Sequence, residues 1–364
     1  MSESSTVRII LSRIYILAAG AAIILSMIYG ESILVPIILG IVIAFVIDDI
    51  TLRWTNLNLF GRNLPTRAAR IMAIVLIFVI LAWVTLLGIG TGAQIAEKVP
   101  EYRENLIVII DQVPDNIWTL FLGESTTDIE AIFSGLFELA TEYVTNYIST
   151  IASNVLNLLV QAFVIFFYVL FLVSEQSKFS SKLSKMFLKE ESNSMAQEIV
   201  SSIAEQSRKY ISVKTYVSAL TGLGSFFVML LFGVDFPIFW ATLIFLFNYI
   251  PYVGSIVAVV FPVTIALLQF GNLTTVLFLL VALVIIQVLV GYIFEPIIMG
   301  NSLDISSFVV LVSLSLFGTI WGIVGMIIAI PLVIILIIVL GHFETTRPVA
   351  ILLTGNGELS FEEP

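Results

Sequence analysis

Apolar residues in this chain are gathered into long blocks, at 14–29, 33–47, 71–92, 155–173, 214–232, 236–270, 274–294 and 305–340. A helix needs roughly 20 apolar residues to cross a bilayer, so blocks of this kind predict membrane-spanning segments. Two of them are too long for one span. Each is interrupted after about 14 residues, 236–270 at Pro251-Tyr252-Val253-Gly254 and 305–340 at Thr319-Ile320-Trp321-Gly322. An arm of that length reaches only ~21 Å, against ~30 Å of hydrocarbon. Both blocks therefore predict re-entrant helical hairpins, each entering and leaving on one side. The expected fold is an all-α polytopic membrane protein, a helical bundle with two such hairpins in an inverted repeat.

Composition supports this. Of 364 residues, 59% are hydrophobic and 12% charged, with a mean hydropathy of +1.09. A soluble domain carries roughly 25% charged residues, so this supply is too small for a water-facing surface. Cysteine is absent, which excludes disulfides, thiolate nucleophiles and sulfur-ligated metals. Arg8 and Arg13 ahead of block 14–29 superficially resemble a signal peptide. A second apolar block follows almost at once with no small-residue cleavage site, which predicts an uncleaved first helix.

Charge fixes the expected orientation. Arg53, Arg62, Arg67 and Arg70 lie in 48–70, and Lys178, Lys182, Lys185, Lys189, Arg208 and Lys209 in 174–213. Segment 93–154 holds only Lys98 and Arg103, against ten acidic residues. Cytoplasmic loops retain Lys and Arg. Placing both termini, 48–70 and 174–213 in the cytoplasm leaves only Lys98 and Arg103 of the sixteen basic residues outside. Helix parity agrees if the first two blocks form a hairpin turning at Gly30-Glu31-Ser32. The expected localisation is the inner or plasma membrane.

The organisation then reads as N-terminal transmembrane helices over 1–92 and an extracytoplasmic acidic insert over 93–154. A transmembrane helix with a basic cytoplasmic segment covers 155–213, a transport core 214–340, and a cytoplasmic tail 341–364. Within the insert, Ile95, Val99, Tyr102, Leu106, Ile109 and Val113 recur every three or four residues, as do Ile129, Ile132, Phe133, Leu136 and Phe137. Such spacing predicts amphipathic helices capping the bundle or packing on another protomer. The Lys178–Lys189 stripe suits anionic headgroups of the lipid bilayer, and positive-inside bias explains it equally.

Blocks 236–270 and 305–340 align at a constant offset of 69, with Asp235 on Asp304, Phe239 on Phe308, Tyr252 on Trp321 and Pro262 on Pro331. Each follows one good spanning block, and the charge-derived orientation has them entering from opposite sides. Inverted repeats of this kind build many secondary transporters, with solute sites at the broken helices.

These residues carry a family resemblance. Asn248-Tyr249-Ile250-Pro251-Tyr252-Val253-Gly254 resembles the N-x-I-P-Y-V-G hallmark of the autoinducer-2 exporter family. Glu295-Pro296-Ile297-Ile298-Met299-Gly300 resembles its E-P-x-x-x-G motif, and Gly318, Gly322, Gly325, Ala329 and Pro331 its late glycine-rich helix. Where members commonly carry a proline, this chain has Ser306 and Ser307. The resemblance implies a transporter-like protein; some members export the quorum-sensing furanone, and others are associated with sodium/proton exchange. It also implies a homo-oligomer, with a pentamer among the options.

Candidate site residues follow from the breaks and motifs. Asn248 either hydrogen-bonds a polar solute or caps backbone freed at the break. Pro251 and Gly254 make the turn. Tyr252 and Trp321 either stack on a ring or anchor the hairpin tips. Glu295, followed by Pro296, either carries a coupling proton or cation or ends its helix. Asp235 and Asp304 are expected as helix N-caps, and Gln269 and Gln287 as interhelical hydrogen-bonders. Gly318 with Gly322 reads as a close-packing pair, as do Gly88, Gly90 and Gly92. No Walker A sequence, H-E-x-x-H or other catalytic constellation occurs, so the expectation is no enzyme, no metal, no cofactor and no nucleic-acid partner. Three functions stay open: a secondary transporter or exporter of a small polar solute, an antiporter of a monovalent cation and protons, and a non-transporting scaffold.

Overall fold

Inside lipid a chain must satisfy its own backbone N–H and C=O groups, and an isolated segment does so as a helix. The computed structural model follows that rule. It describes residues 20–56, 58–59, 62–112, 155–186, 190–299 and 304–359, with scattered positions at 18 and between 132 and 146. The elements are α1 (Gly20–Tyr29), α2 (Glu31–Asn56), α3 (Thr66–Gln112), α4 (Val155–Met186), α5 (Glu190–Phe232), α6 (Pro237–Phe247) and α7 (Val253–Phe270). Then come α8 (Leu273–Val288), a π-helical segment (Leu289–Phe294), α9 (Glu295–Met299), α10 (Ser307–Gly341) and α11 (Arg347–Leu353). A two-residue β ladder, Asn58–Leu59 with Arg62–Asn63, is the β structure among the described residues. Six helices there are long and apolar enough to cross a membrane. The fold is an all-α membrane protein, as the block pattern predicts.

The chain forms two compact units, one of residues 1–46, 161–207 and 304–364, the other of 47–160 and 208–303. In the second, α3 is a single helix of 47 residues, ~70 Å long. It runs unbroken through position 92, where the sequence suggested an insert beginning. The predicted stripe is buried: Tyr102, Leu106 and Ile109 face inward, and Leu106 with Ile110 packs on Leu268 of α7. The remainder of that amphipathic pattern, beyond residue 112, lies largely outside the described residues.

α6 and α7 form a helical hairpin. Pro237 opens α6 at its first turn, where a missing N–H costs nothing. The arms lie side by side, with Trp240 stacked on Phe261 at 6.2 Å. They share a core of Val234, Trp240, Ile244, Ala258 and Ala266 with Met229 of α5 and Leu279 and Leu283 of α8. At the tip, Val253 N–H donates to Pro251 C=O at 2.7 Å across Tyr252, whose φ is +62° and ψ −52°. This is the rare γ-turn, a strained conformation for a side chain-bearing residue. Gly254 completes it: a Cβ there would overlap the carbonyl oxygen of Phe247. At the base, Gln269 Oε1 accepts from Asp235 N–H at 2.7 Å and Gln269 Nε2 donates to Gly233 O at 2.8 Å.

The first unit repeats the device. α10 is broken at Trp321 and Gly322, the latter at φ +60° and ψ −143°. A Cβ at Gly325 would overlap the carbonyl oxygen of Phe317, and one at Gly318 would press on Met326. Val309 packs on a cluster of Val333, Ile337, Ala350 and Leu359, and the approach of Gly318 to Met326 and of Gly325 to Phe317 brings the two halves of α10 together beside the bend. Glycine thus lies against a phenylalanine carbonyl at both tips, Gly254 on Phe247 and Gly325 on Phe317.

Several expectations are corrected. Asp235 and Asp304 do not cap helices. Phe236 and Ser306 stand at the N-cap positions without side-chain capping bonds. Asp235 instead accepts from Lys98 and Tyr102, and Asp304 from the backbone of Asn356. Ser306 N–H donates to Leu353 O at 3.0 Å, a bond that proline at 306 could not make. Tyr252 and Trp321 do not play matching roles. Tyr252 is half exposed, whereas Trp321 is buried with its Nε1 donating to Met27 O at 3.0 Å. Gly88 and Gly90 meet nothing within 4 Å among the described residues, so they mediate no packing there.

Adding a methyl at Gly254 or Gly325 therefore overpacks a tip against backbone. Gly254→Ala and Gly325→Ala are expected to destabilise the protein by roughly 1–3 kcal/mol. Gly88→Ala, in open space, should instead stabilise it by roughly 0.5–1 kcal/mol. Unfolding midpoints of the three variants in detergent check the contrast.

Candidate functional site

A run of polar side chains on α5 faces the first hairpin. Lys214, Ser218, Thr221 and Ser225 are spaced four, three and four residues apart, which places them on one helical face. All four are buried. In a segment otherwise so apolar, each such group needs a partner or water. Thr221 Oγ1 bonds back to Val217 O at 2.8 Å, and Ser218 Oγ accepts from Asn248 Nδ2 at 3.1 Å. Ser225 Oγ has no partner among the described residues. Gly222, on the same side, lets α6 come close: a Cβ there would stand 3.0 Å from Ala241 O.

Around the tip the polar seam continues. Thr215 Oγ1 and Tyr249 OH are 2.7 Å apart. Lys214 Nζ donates to Glu295 Oε1 at 2.6 Å, with the two side chains 5% and 23% exposed. Tyr210 is buried one turn before Lys214; its hydroxyl has no hydrogen-bond partner among the described residues, and Glu295 and Tyr249 are its electrostatic neighbours. Glu295 is aimed here by the π segment. Its backbone N–H bonds to Val290 O, five residues back, so the helix carries an extra residue per turn just before it. Val213, Val217 and Val290 pack together beneath the ion pair.

The structure thus brings two sequence-predicted residues onto one seam. Asn248 meets Ser218 and Glu295 meets Lys214, one helical turn apart on α5. The Asn248 amide does not cap the broken backbone; its N–H is spent across the interface on α5. Pro251, Tyr252 and Gly254 shape the tip that positions Asn248. Pro296 is exposed in the first turn of α9 and does not line the seam. Gly318, Trp321 and Gly322 belong to the other unit's hairpin, where they form its bend. Gly300 lies outside the described residues. Gln269 ties its hairpin as expected, whereas Gln287 Nε2 finds no partner among them. Sequence reasoning missed Ser218, Thr221, Ser225 and the pairing of Lys214. The four-three-four spacing of polar residues within an apolar block was the available signal.

The seam carries one positive and one negative charge in contact, with no net charge. Hydroxyl and amide groups make up the rest, with unspent hydrogen-bonding capacity at Tyr210 and Ser225. Among the described residues no group of His, Asp and Glu side chains could hold a metal ion. Such a site suits reversible hydrogen bonding.

Residues 15–345 match the sequence model of the AI-2E family transporters. The chain belongs to this family. Among AI-2E relatives, a Borreliella burgdorferi protein described as a transport protein is 40% identical over 189 residues, 52% of each chain. The AI-2 transport protein TqsA of Escherichia coli is 36% identical over 145 residues, 40% of this chain and 42% of TqsA. YrrI of Bacillus subtilis, also described as a transport protein, is 25% identical over 328 residues, 87% of this chain and 88% of YrrI. The chain therefore spans about half or less of the first two relatives' lengths. The family and these relatives are described as transport proteins, and this AI-2E chain is a multi-pass membrane protein.

Breaking the Lys214–Glu295 pair from one side strands a mostly buried charge, which costs about 3–5 kcal/mol. Lys214→Met should lower stability on that scale, and Lys214→Met with Glu295→Gln should recover most of the loss. Denaturant or thermal unfolding of the single and double variants in detergent measures it.

Proposed function

We propose that this protein is a secondary transporter that moves a small polar solute past the tip of the α6–α7 hairpin. The observation that carries the reading is the buried seam on α5, where Asn248 and Glu295 converge and the Tyr210 and Ser225 hydroxyls have no partner among the described residues. Unpaired polar atoms in an apolar interior are costly, and a solute or water that visits the seam removes the cost. With no net charge, the site favours an uncharged, hydrogen-bonding solute over a bare ion. An autoinducer-2-like furanone is the first such solute to test, given the description of TqsA, and export is the direction we expect.

The same geometry supports a re-entrant hairpin. α6 has 11 residues, about 17 Å of helix, too short to cross the ~30 Å hydrocarbon core. From Lys214 to the end of α5 at Phe232 is roughly 27 Å. The Lys214–Glu295 pair and the Asp235 carboxylate therefore stand about one membrane thickness apart. With positive-inside orientation, the Lys214 end faces the cytoplasm and the hairpin base faces out. Asn248 reaches within one turn of Lys214, so the tip sits deep in the membrane.

Purified protein in proteoliposomes should carry labelled furanone above protein-free vesicles. Asn248→Ala should slow it about tenfold, the scale of one buried hydrogen bond of ~1–1.5 kcal/mol. Flux unchanged in Asn248→Ala would remove the seam from the path. The paired Glu295 carboxylate favours a second reading, monovalent cation/proton exchange. It predicts sodium movement under a pH gradient that vanishes in Glu295→Gln.

A further inference from the structure

The base of the α6–α7 hairpin is held by one face of α3. Lys98, Tyr102, Asn105 and Gln112 follow one another at helical spacings of four, three and seven. Lys98 Nζ donates to Asp235 Oδ2 at 2.6 Å, and Tyr102 OH donates to the same oxygen at 2.9 Å. Asn105 Nδ2 donates to Gln269 O at 2.9 Å, and Gln112 Nε2 to Gly271 O at 2.7 Å. One helix thus grips both ends of the hairpin, before α6 and after α7. The Lys98 ammonium also lies over the Phe236 ring, 5.9 Å from its centre.

The backbone at these two ends is unusual as well. Gly233 (φ +72°), Phe236 (φ +56°) and Gly271 (φ +57°) all adopt left-handed conformations. Phe236 does so with a large side chain, which L residues rarely accept. Changes of direction are therefore concentrated in a few residues on either side of a hairpin that is otherwise regular helix to its tip. A hinge has this form: a few positions at element ends that absorb the dihedral change.

The grip is of a kind that can be released. Lys98 is 36% exposed and Asp235 17%, so this ion pair is far less enclosed by protein than Lys214, at 5%. Partly exposed pairs are worth little once solvated. The other two bonds go to backbone carbonyls, whose place water can take. An apolar contact would hold the base more simply if it never had to open.

We propose that Lys98, Tyr102, Asn105 and Gln112 form a latch on the hairpin base. Solute passage requires the hairpin base to part from α3, with Gly233–Phe236 and Gly271 absorbing the change in backbone direction. This rests on the reading of the seam as the solute's path, and the four residues act through the hairpin rather than on the solute.

The protein has no cysteine, so a covalent lock can be introduced cleanly. A Cβ built on Gly271 stands 3.6 Å from Asn105 Cβ, within the ~3.5–4.5 Å that a disulfide spans. Asn105→Cys with Gly271→Cys should lose furanone flux on oxidation and regain it on reduction. Equal flux in the oxidised and reduced protein overturns the latch while leaving the seam's role intact. If the reduced variant and the parent both fail to carry the solute, the transport reading fails first. Hydrogen exchange then decides the latch: Lys98→Met should speed exchange across 233–247, and unchanged exchange overturns it.

Discussion

A helix that stops inside a membrane must hand its free N–H and C=O groups to something other than lipid. This chain breaks an apolar helical block twice, at residues 248–252 and at 321–322, and much of its architecture answers the same demand for backbone partners. At the first break the backbone closes on itself through the γ-turn at Tyr252, and Gly254 lets the two arms meet at the Phe247 carbonyl. At the second, Gly325 repeats the close approach, and Trp321 reaches from the bend to the Met27 carbonyl. Neither solution tolerates a larger side chain at its glycine. The repeated glycine-on-carbonyl contact is therefore a physical reason for similar motifs in the two halves of the C-terminal region.

The first break also sets up the chemistry. Turning the chain at 248–252 delivers Asn248 to the small, polar face of α5, where Ser218 accepts its amide. The π segment before Glu295 delivers a carboxylate to the same face one turn away. The buried ion pair is poor evidence for stability, because desolvating two charges offsets most of their attraction. Its retention beside unpaired hydroxyls fits a site that trades internal hydrogen bonds for those of a solute. The hairpin base is less enclosed and differently held, so the two ends of one hairpin offer contacts of unequal strength.

Much of this was legible in the sequence. Block lengths gave the helices, and the interruptions at Pro251 and Trp321 fell where the backbone bends. The stripe through Tyr102, Leu106 and Ile109 predicted a buried face, which proves to serve the hairpin of the same unit. Partnerships distant in sequence were not legible: Lys214 and Glu295 are 81 residues apart and nothing local joins them. The α5 seam was overlooked because serine and threonine in helices commonly bond back to their own backbone, as Thr221 does. Asp235 was misread for a different reason. Capping was the economical expectation, but a charged lysine and a tyrosine on α3 outbid a backbone amide for the carboxylate. Gly88 and Gly90 show that glycine spacing alone does not establish packing.

The most direct test asks whether the seam opens to water. Ser218→Cys would put the protein's sole thiol beneath Asn248 in a chain without native cysteine. The account predicts that a small, charged, membrane-impermeant thiol reagent modifies it in the folded protein, and that a transported solute slows the reaction. A thiol that stays unmodified until the protein unfolds would mean the seam is sealed interior packing, contradicting its role as a solute path.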